Sequence, residues 1–227
     1  MLAVNYPHLK SSYPVRLNNQ RAANKLTFGE KVIYKGLYLM DEKGNPVPAE
    51  FIKLSSPDDV KVVQNMPPDW KNGEMTEGIV KKVTDSGSHF YAIATSGNRD
   101  NLSDRIQCIS YFITSGSNEL NILLLQTKPE NMSIDKKNTR KIKYAGRAMM
   151  YSLMKYAIDN EYNSITLCSS STARNFYKNI GLINPNGGRF EADKERMQKI
   201  MEDLENSSGI TGKPLPEPKK PLWKRIL

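Results

Sequence analysis

Six consecutive residues, Lys143, Tyr144, Ala145, Gly146, Arg147 and Ala148, have the makings of an anion site at the start of a helix. The first turn of a helix leaves about four backbone N–H groups without partners, and the helix dipole adds partial positive charge there. A phosphate suits both features. Gly146 permits a close approach to the backbone, Ala148 keeps the next turn small, and Lys143 and Arg147 add charge. Lys136, Lys137, Arg140 and Lys141 lie just upstream. A pyrophosphate with an extra sugar phosphate fits such a cluster. Further on, Tyr177 could supply a proton, since a phenol has an ordinary pKa of about 10. It stands on the apolar face of its helix, where a tyrosine is more often part of the core.

These groups need elements to hold them. Residues 145–159 carry apolar side chains at Ala145, Met149, Leu153 and Tyr156/Ala157, one face of a helix. Upstream, 89–95, 105–114 and 121–127 read as three strands of an antiparallel meander, with polar turns at 96–104 and 115–119. Residues 130–143 read as a polar, basic loop. Downstream, 164–168 is a short apolar strand, followed at once by a helix over 172–179. Its apolar residues Ala173, Phe176, Tyr177 and Ile180 recur at helical spacing. Ser170 or Ser171 can cap that helix and Gly181 can end it. Towards the N-terminus, 30–40 and 49–54 read as a hairpin around the turn residues 41–48. Helices are expected from Ser55–Asp59 to Pro67 and over 74–84. The last helical pattern is 193–205.

The strand ending Gln126-Thr127-Lys128-Pro129, the turn 143–148 and the run from Ser164 to Leu182 together resemble the GNAT acyltransferase family. Its acetyl-CoA motif, Gln/Arg-x-x-Gly-x-Gly/Ala, is matched by Lys143–Ala148 with Lys in first place. A second family segment, S-x-x-A-R-x-F-Y-x-x-x-G-F, is matched by Ser170, Ala173, Arg174, Phe176, Tyr177, Gly181 and Leu182, with Leu in last place. The resemblance covers 105–183. It implies a mixed, mostly antiparallel central sheet with helices on both faces and a V-shaped splay between the two central strands. It also implies that the backbone at 144–148 holds the pyrophosphate of acetyl-CoA, and that Leu125, Gln126 and Thr127 pair with the pantetheine amides. Asn175 would lie beside the CoA arm, and Tyr177 would protonate the leaving thiolate. In many relatives a Glu on the fourth strand takes the amine proton. Residues 121–127 hold no carboxylate, which leaves Glu119 and His89 as the nearby bases. The implied activity is acetyl transfer from acetyl-CoA to a primary amine; the rival is a GNAT-fold binding module without turnover, acting through its tails.

Composition bounds these readings. The 227 residues hold only two cysteines, Cys108 and Cys168, which argues against a disulfide scaffold and suits a reducing compartment such as the cytoplasm. The only histidines, His8 and His89, lack ligand spacing, so no metal is expected. No apolar run is long enough for a membrane span. The net charge of +9 sits at the ends: 1–35 carry six Lys/Arg and one Glu, 213–227 five and one, and the middle balances at 22 of each sign. No specific nucleic-acid face is therefore expected on the domain, although basic ends can attract nucleic acid or anionic membranes weakly. The organisation expected is a flexible segment 1–27, an acyltransferase-like domain 28–205 and a Pro/Lys-rich tail 206–227.

Overall fold

A computed structural model of the chain describes residues 31–66, 70, 81, 89–97, 102–116, 118–132 and 141–211. Most of the helix expected over 74–84, the basic residues Lys136, Lys137 and Arg140, and both termini lie outside the described residues.

Eight strands form one mixed sheet. A hairpin opens it: β1 (Lys31–Asp41) and β2 (Pro46–Leu54) pair antiparallel. Its turn is built by Asp41, whose carboxylate accepts from the backbone N–H of Asn45 at 2.7 Å, and by Gly44 at φ 89°. Helix α1 (Pro57–Gln64) starts in a capping box between Ser56 and Asp59, with Pro57 in its first turn. Then come β3 (Phe90–Thr95), a single turn of helix α2 (Leu102–Arg105), β4 (Ile106–Ser115) and β5 (Glu119–Thr127). The sequence was expected to be a turn where α2 stands, because four residues carry no periodic signal.

After a 3-10 turn at Pro129–Asn131, β6 (Ile142–Lys143) precedes helix α3 (Ala145–Asp159). Strand β7 (Ser164–Cys168), a 3-10 turn at Ser171–Ala173, helix α4 (Arg174–Asn179), β8 (Arg189–Asp193) and helix α5 (Lys194–Ser208) complete the described chain. The strand order is β6-β1-β2-β3-β4-β5-β7-β8, and only β5 with β7 run parallel. Two strands were not foreseen. β6 turns the end of the expected loop 130–143 into a two-residue edge on β1, and β8 reads in sequence as the polar lead-in to a helix. The start of α4 also differs from expectation: neither Ser170 nor Ser171 caps it with a side chain.

Helices cover both faces. On one, α3 and α5 pack over Leu37, Phe51, Ile93, Leu120, Ile122, Ile165 and Phe190. On the other, α1 and α2 lie over Ile52, Phe90, Ile109 and Tyr111, joined by Trp70. Helix α3 is buried on far more than one stripe, including Ala148, Met150, Tyr151 and Met154, because it is pressed between the sheet and α5. Helix α5 continues past the expected boundary at 205. Gly209 caps it at φ 60°, Ile210 is buried, and the Ile210 carbonyl accepts from Tyr38 N–H at 2.8 Å.

One irregularity positions the site. β5 pairs with β4 along its whole length, from Glu119 to Thr127, but with β7 only through Glu119–Ile122. Between those regions the β4–β5 register slips: Phe112 faces Ile122 and Tyr111 faces Leu124, so Leu123 is an extra residue in β5. Such a bulge bends a strand and raises its twist. The bend falls where β5 and β7 part, and it opens the V-shaped splay expected from the resemblance.

Candidate active site: a parted strand pair beside an uncapped helix

Three of the expected groups meet at the wide end of the splay. Tyr144 is the N-cap of α3 and sits in the left-handed region at φ 72°. That conformation costs a non-glycine residue about 1 kcal/mol, and such strain persists where the surroundings impose it. Here it turns the chain sharply from β6 into the helix. No side chain caps α3, and its first internal hydrogen bond runs from Ala148 N–H to the Tyr144 carbonyl at 2.8 Å. The amides of Ala145, Gly146 and Arg147 thus have no acceptor among the described residues. No acidic residue lies in that first turn to compete for them.

Gly146 has a packing reason that the sequence did not reveal. A Cβ there would lie 3.3 Å from Phe176 Cζ and 3.3 Å from Thr127 Oγ1. The end of β5, the start of α3 and helix α4 therefore converge on that single residue, and a Cβ there would need Phe176 and Thr127 to give way slightly. Thr127 also donates towards Cys108 Sγ at 3.8 Å. Cys108 is fully buried, and burial pushes its thiol up to about 12. It is a packing group under the site rather than a nucleophile.

Tyr177 belongs to the same cluster. Its ring is 5.1 Å from Phe176 and 5.5 Å from Phe190, centroid to centroid. It is buried, and burial, with a smaller contribution from Cys108, raises its phenol well above the usual value. The hydroxyl makes no hydrogen bond among the described residues. A phenol held this way keeps its proton throughout the neutral range and can donate it to an incoming acceptor.

Other expected residues are placed differently from one another. Lys143 lies in β6, opposite Met40. Arg147 points along α3 towards α5: it donates to Ser208 Oγ at 2.9 Å, and its guanidinium lies 5.3 Å from the centre of the Tyr144 ring. Asn175 is exposed on α4, while its neighbour Phe176 makes the inward contact with the Gly146 position. Leu125 and Thr127 point towards α3, and Gln126 points to the opposite face, across from Ile109. Beyond Ile122, β5 keeps β4 on one edge and, among the described residues, has no strand on the other, so alternate backbone groups of 123–127 face the parting.

Gln126 is buried, and neither its Nε2 nor its Oε1 has a hydrogen-bond partner. An unpaired buried amide atom costs about 1–3 kcal/mol, and an apolar isostere removes that cost. Gln126→Met should therefore raise the melting temperature, by about 2–4 °C per kcal/mol gained for a domain of this size. Calorimetry checks it, and a lowered melting temperature would show that the amide is satisfied in solution.

The two expected bases are resolved as follows. Glu119 stands inside β5, not before it, so the strand does carry a carboxylate. That carboxylate accepts from the Thr166 hydroxyl and from Arg189 at 3.4 Å. It is four residues from Leu123, about 13 Å along a strand. His89 is two strands away on β3's leading edge. Burial and Lys53 lower its pKa, and its Nδ1 is buried without a partner. Among the described residues no cluster of three His, Cys, Asp or Glu could hold a metal ion. No described helix is long and apolar enough to cross a membrane.

The parallel pair β5–β7 thus parts at a bulge beside an uncapped helix start, within a mixed α/β fold. No protein-family model matches the sequence, and no curated protein matches it. Among solved structures, the chain is similar to a Lactobacillus plantarum protein named as an N-acetyltransferase, with 11% identity over 64% of this chain and 97% of that one, TM-score 0.49. It is similar to an acetyltransferase of the GNAT family from Staphylococcus aureus Mu50, with 11% identity over 64% and 99%, TM-score 0.44. It is also similar to the PaiA N-acetyltransferase of Thermoplasma acidophilum in complex with coenzyme A, with 12% identity over 63% and 98%, TM-score 0.42.

Proposed function

We propose that the chain is an N-acetyltransferase that takes its acetyl group from acetyl-CoA and passes it to a primary amine by direct attack. The parting of β5 and β7 at Leu123, next to the free amides that open α3, is the observation that carries this reading. The cleft fits the co-substrate in its chemistry. A diphosphate matches the amides of Ala145, Gly146 and Arg147 with Lys143 close by, and a chain bearing two amides matches the unpaired edge of 123–127. Coenzyme A would supply an activated thioester.

The chain's own groups then have defined tasks. The exposed edge of β5 offers N–H groups that can polarise a carbonyl at the parting. Attack by the amine nitrogen forms a C–N bond and breaks the C–S bond. Tyr177 donates its proton to the departing sulfur. The surplus proton of the amine passes to solvent, because Glu119 and His89 both stand too far from Leu123 for direct contact, and solvent returns a proton to the Tyr177 phenolate to restore the donor.

The test is titration calorimetry of the full chain with acetyl-CoA, followed by thiol release in the presence of a panel of primary amines. Binding with amine-dependent thiol release supports the enzyme. Binding without release from any amine supports the rival, a fold retained for ligand or protein contacts alone. No binding removes both.

A further inference from the structure

Strands β7 and β8, with the parts of β4 and β5 on their side of the bulge (residues 112–115 and 119–123), have helices packed on one face only among the described residues. Leu120, Ile122, Ile165, Leu167, Phe190 and Ala192 all point to the α3 and α5 side. Alternation along each strand sends their neighbours to the other face. There Glu119 accepts from Thr166 and Arg189, and Arg189 Nε lies 3.8 Å from Glu191. The large hydrophobic residues left exposed in the described structure are Ile113 (41%), Leu123 (37%) and Ile183 (42%). All belong to this face. Ile113 pairs with Asn121, Ile183 bridges to Glu191, and Leu123 is doubled with Leu124 at the bulge.

We propose that this face, uncovered among the described residues, seats the acceptor, and that the acceptor is a lysine-bearing polypeptide segment rather than a small free amine. The inference rests on the acetyl-transfer reading and adds the substrate class. Continuity is the first argument: Leu123 lies on the face and marks the point where β5 and β7 part, so a segment lying here delivers an amine to the mouth of the cleft. Size is the second. Four strands about 4.8 Å apart and some five residues long span roughly 250 Å². That exceeds what one small amine can cover, and it is well below the ~800 Å² per partner of a stable interface between folded chains. Charge is the third. Glu119 and Glu191 outnumber Arg189 here, although the chain as a whole carries +9. An ammonium group is drawn to such a face, whereas a second copy of this basic chain is repelled at longer range. The separated aliphatic side chains of Ile113 and Ile183 suit the alternating side chains of an extended peptide.

The experiment compares acetyl transfer by the full chain to a short lysine-containing peptide and to propylamine, for the wild type, Ile183→Lys and Ile113→Lys. Both variants lie outside the cleft. The expected result is a higher kcat/KM for the peptide than for propylamine. In the variants the peptide value falls about tenfold, a loss of about 1.4 kcal/mol, while propylamine turnover, acetyl-CoA affinity and melting temperature hold. Equal losses for both acceptors, or no preference for the peptide, overturn the proposal. So does a wild-type dimer in sedimentation that Ile183→Lys dissolves, since the face is then a seam between copies. Failure of the wild type to bind acetyl-CoA sinks the acetyl-transfer reading itself; normal binding with indifference to the peptide sinks this one alone.

Discussion

Gly146→Asp raises the dissociation constant for acetyl-CoA by about 100-fold or more, measured by titration calorimetry. Two effects act at one atom. The new side chain projects between Phe176 and Thr127, where a Cβ already meets neighbours at 3.3 Å. The carboxylate then sits at the helix start, beside the amides that would hold a phosphate. At about 4 Å, like charges repel by about 4 kcal/mol under an effective dielectric of 20, and solvent lowers this towards the 2.7 kcal/mol that corresponds to 100-fold. The crowding means that folding suffers as well, by the roughly 1–3 kcal/mol typical of overpacking. Gly146→Ala separates the two. It carries the crowding without the charge, so it should share most of the loss in melting temperature and little of the loss in affinity. If Ala and Asp weaken binding alike, the amides of α3 do not face the phosphates.

How much of this was legible in the residues depends on whether the signal was local. The helix over 145–159 is found within its observed bounds because its apolar residues recur at helical spacing over fifteen positions. The three-strand meander was likewise readable from short apolar runs. The bulge at Leu123 was not. It sits in the unbroken apolar run Ile122, Leu123, Leu124 and Leu125, and only the register against β4 shows that one residue is extra. Strand β6 was missed because two residues carry no periodicity, and β8 because Arg189, Glu191 and Asp193 face the uncovered side and make the segment look polar. Glu119 was placed just outside its strand for the same kind of reason: a carboxylate at a strand's first residue reads as turn. At the site, the K-x-x-G-x-A spacing located the helix start, but it gave no hint that Phe176 and Thr127 fill the space beside Gly146. That contact joins residues 19 and 30 positions away in sequence, and no window of local pattern spans it.

Tyr177→Phe lowers kcat about 10²- to 10³-fold, within the usual range for loss of a positioned proton donor, and leaves acetyl-CoA affinity within about twofold. The reason for so selective an effect lies in what the hydroxyl does not do. It makes no hydrogen bond among the described residues, so deleting it leaves no partner unpaired. The ring contacts with Phe176 and Phe190 survive in phenylalanine. The melting temperature should hold or rise slightly, because a polar atom leaves a buried position. The hydroxyl matters only once a sulfur departs beside it and needs a proton. Burial raises the Tyr177 pKa, so the proton-bearing form persists up to and beyond the ordinary tyrosine value of about 10. Ionisation of this residue therefore puts no falling limb on the kcat profile between pH 6 and about pH 10. Thiol release at saturating amine, followed across that range, reads both expectations at once. A variant that keeps kcat within about twofold of the wild type would mean that solvent or another group protonates the sulfur, and Tyr177 would return to the core alongside Cys108.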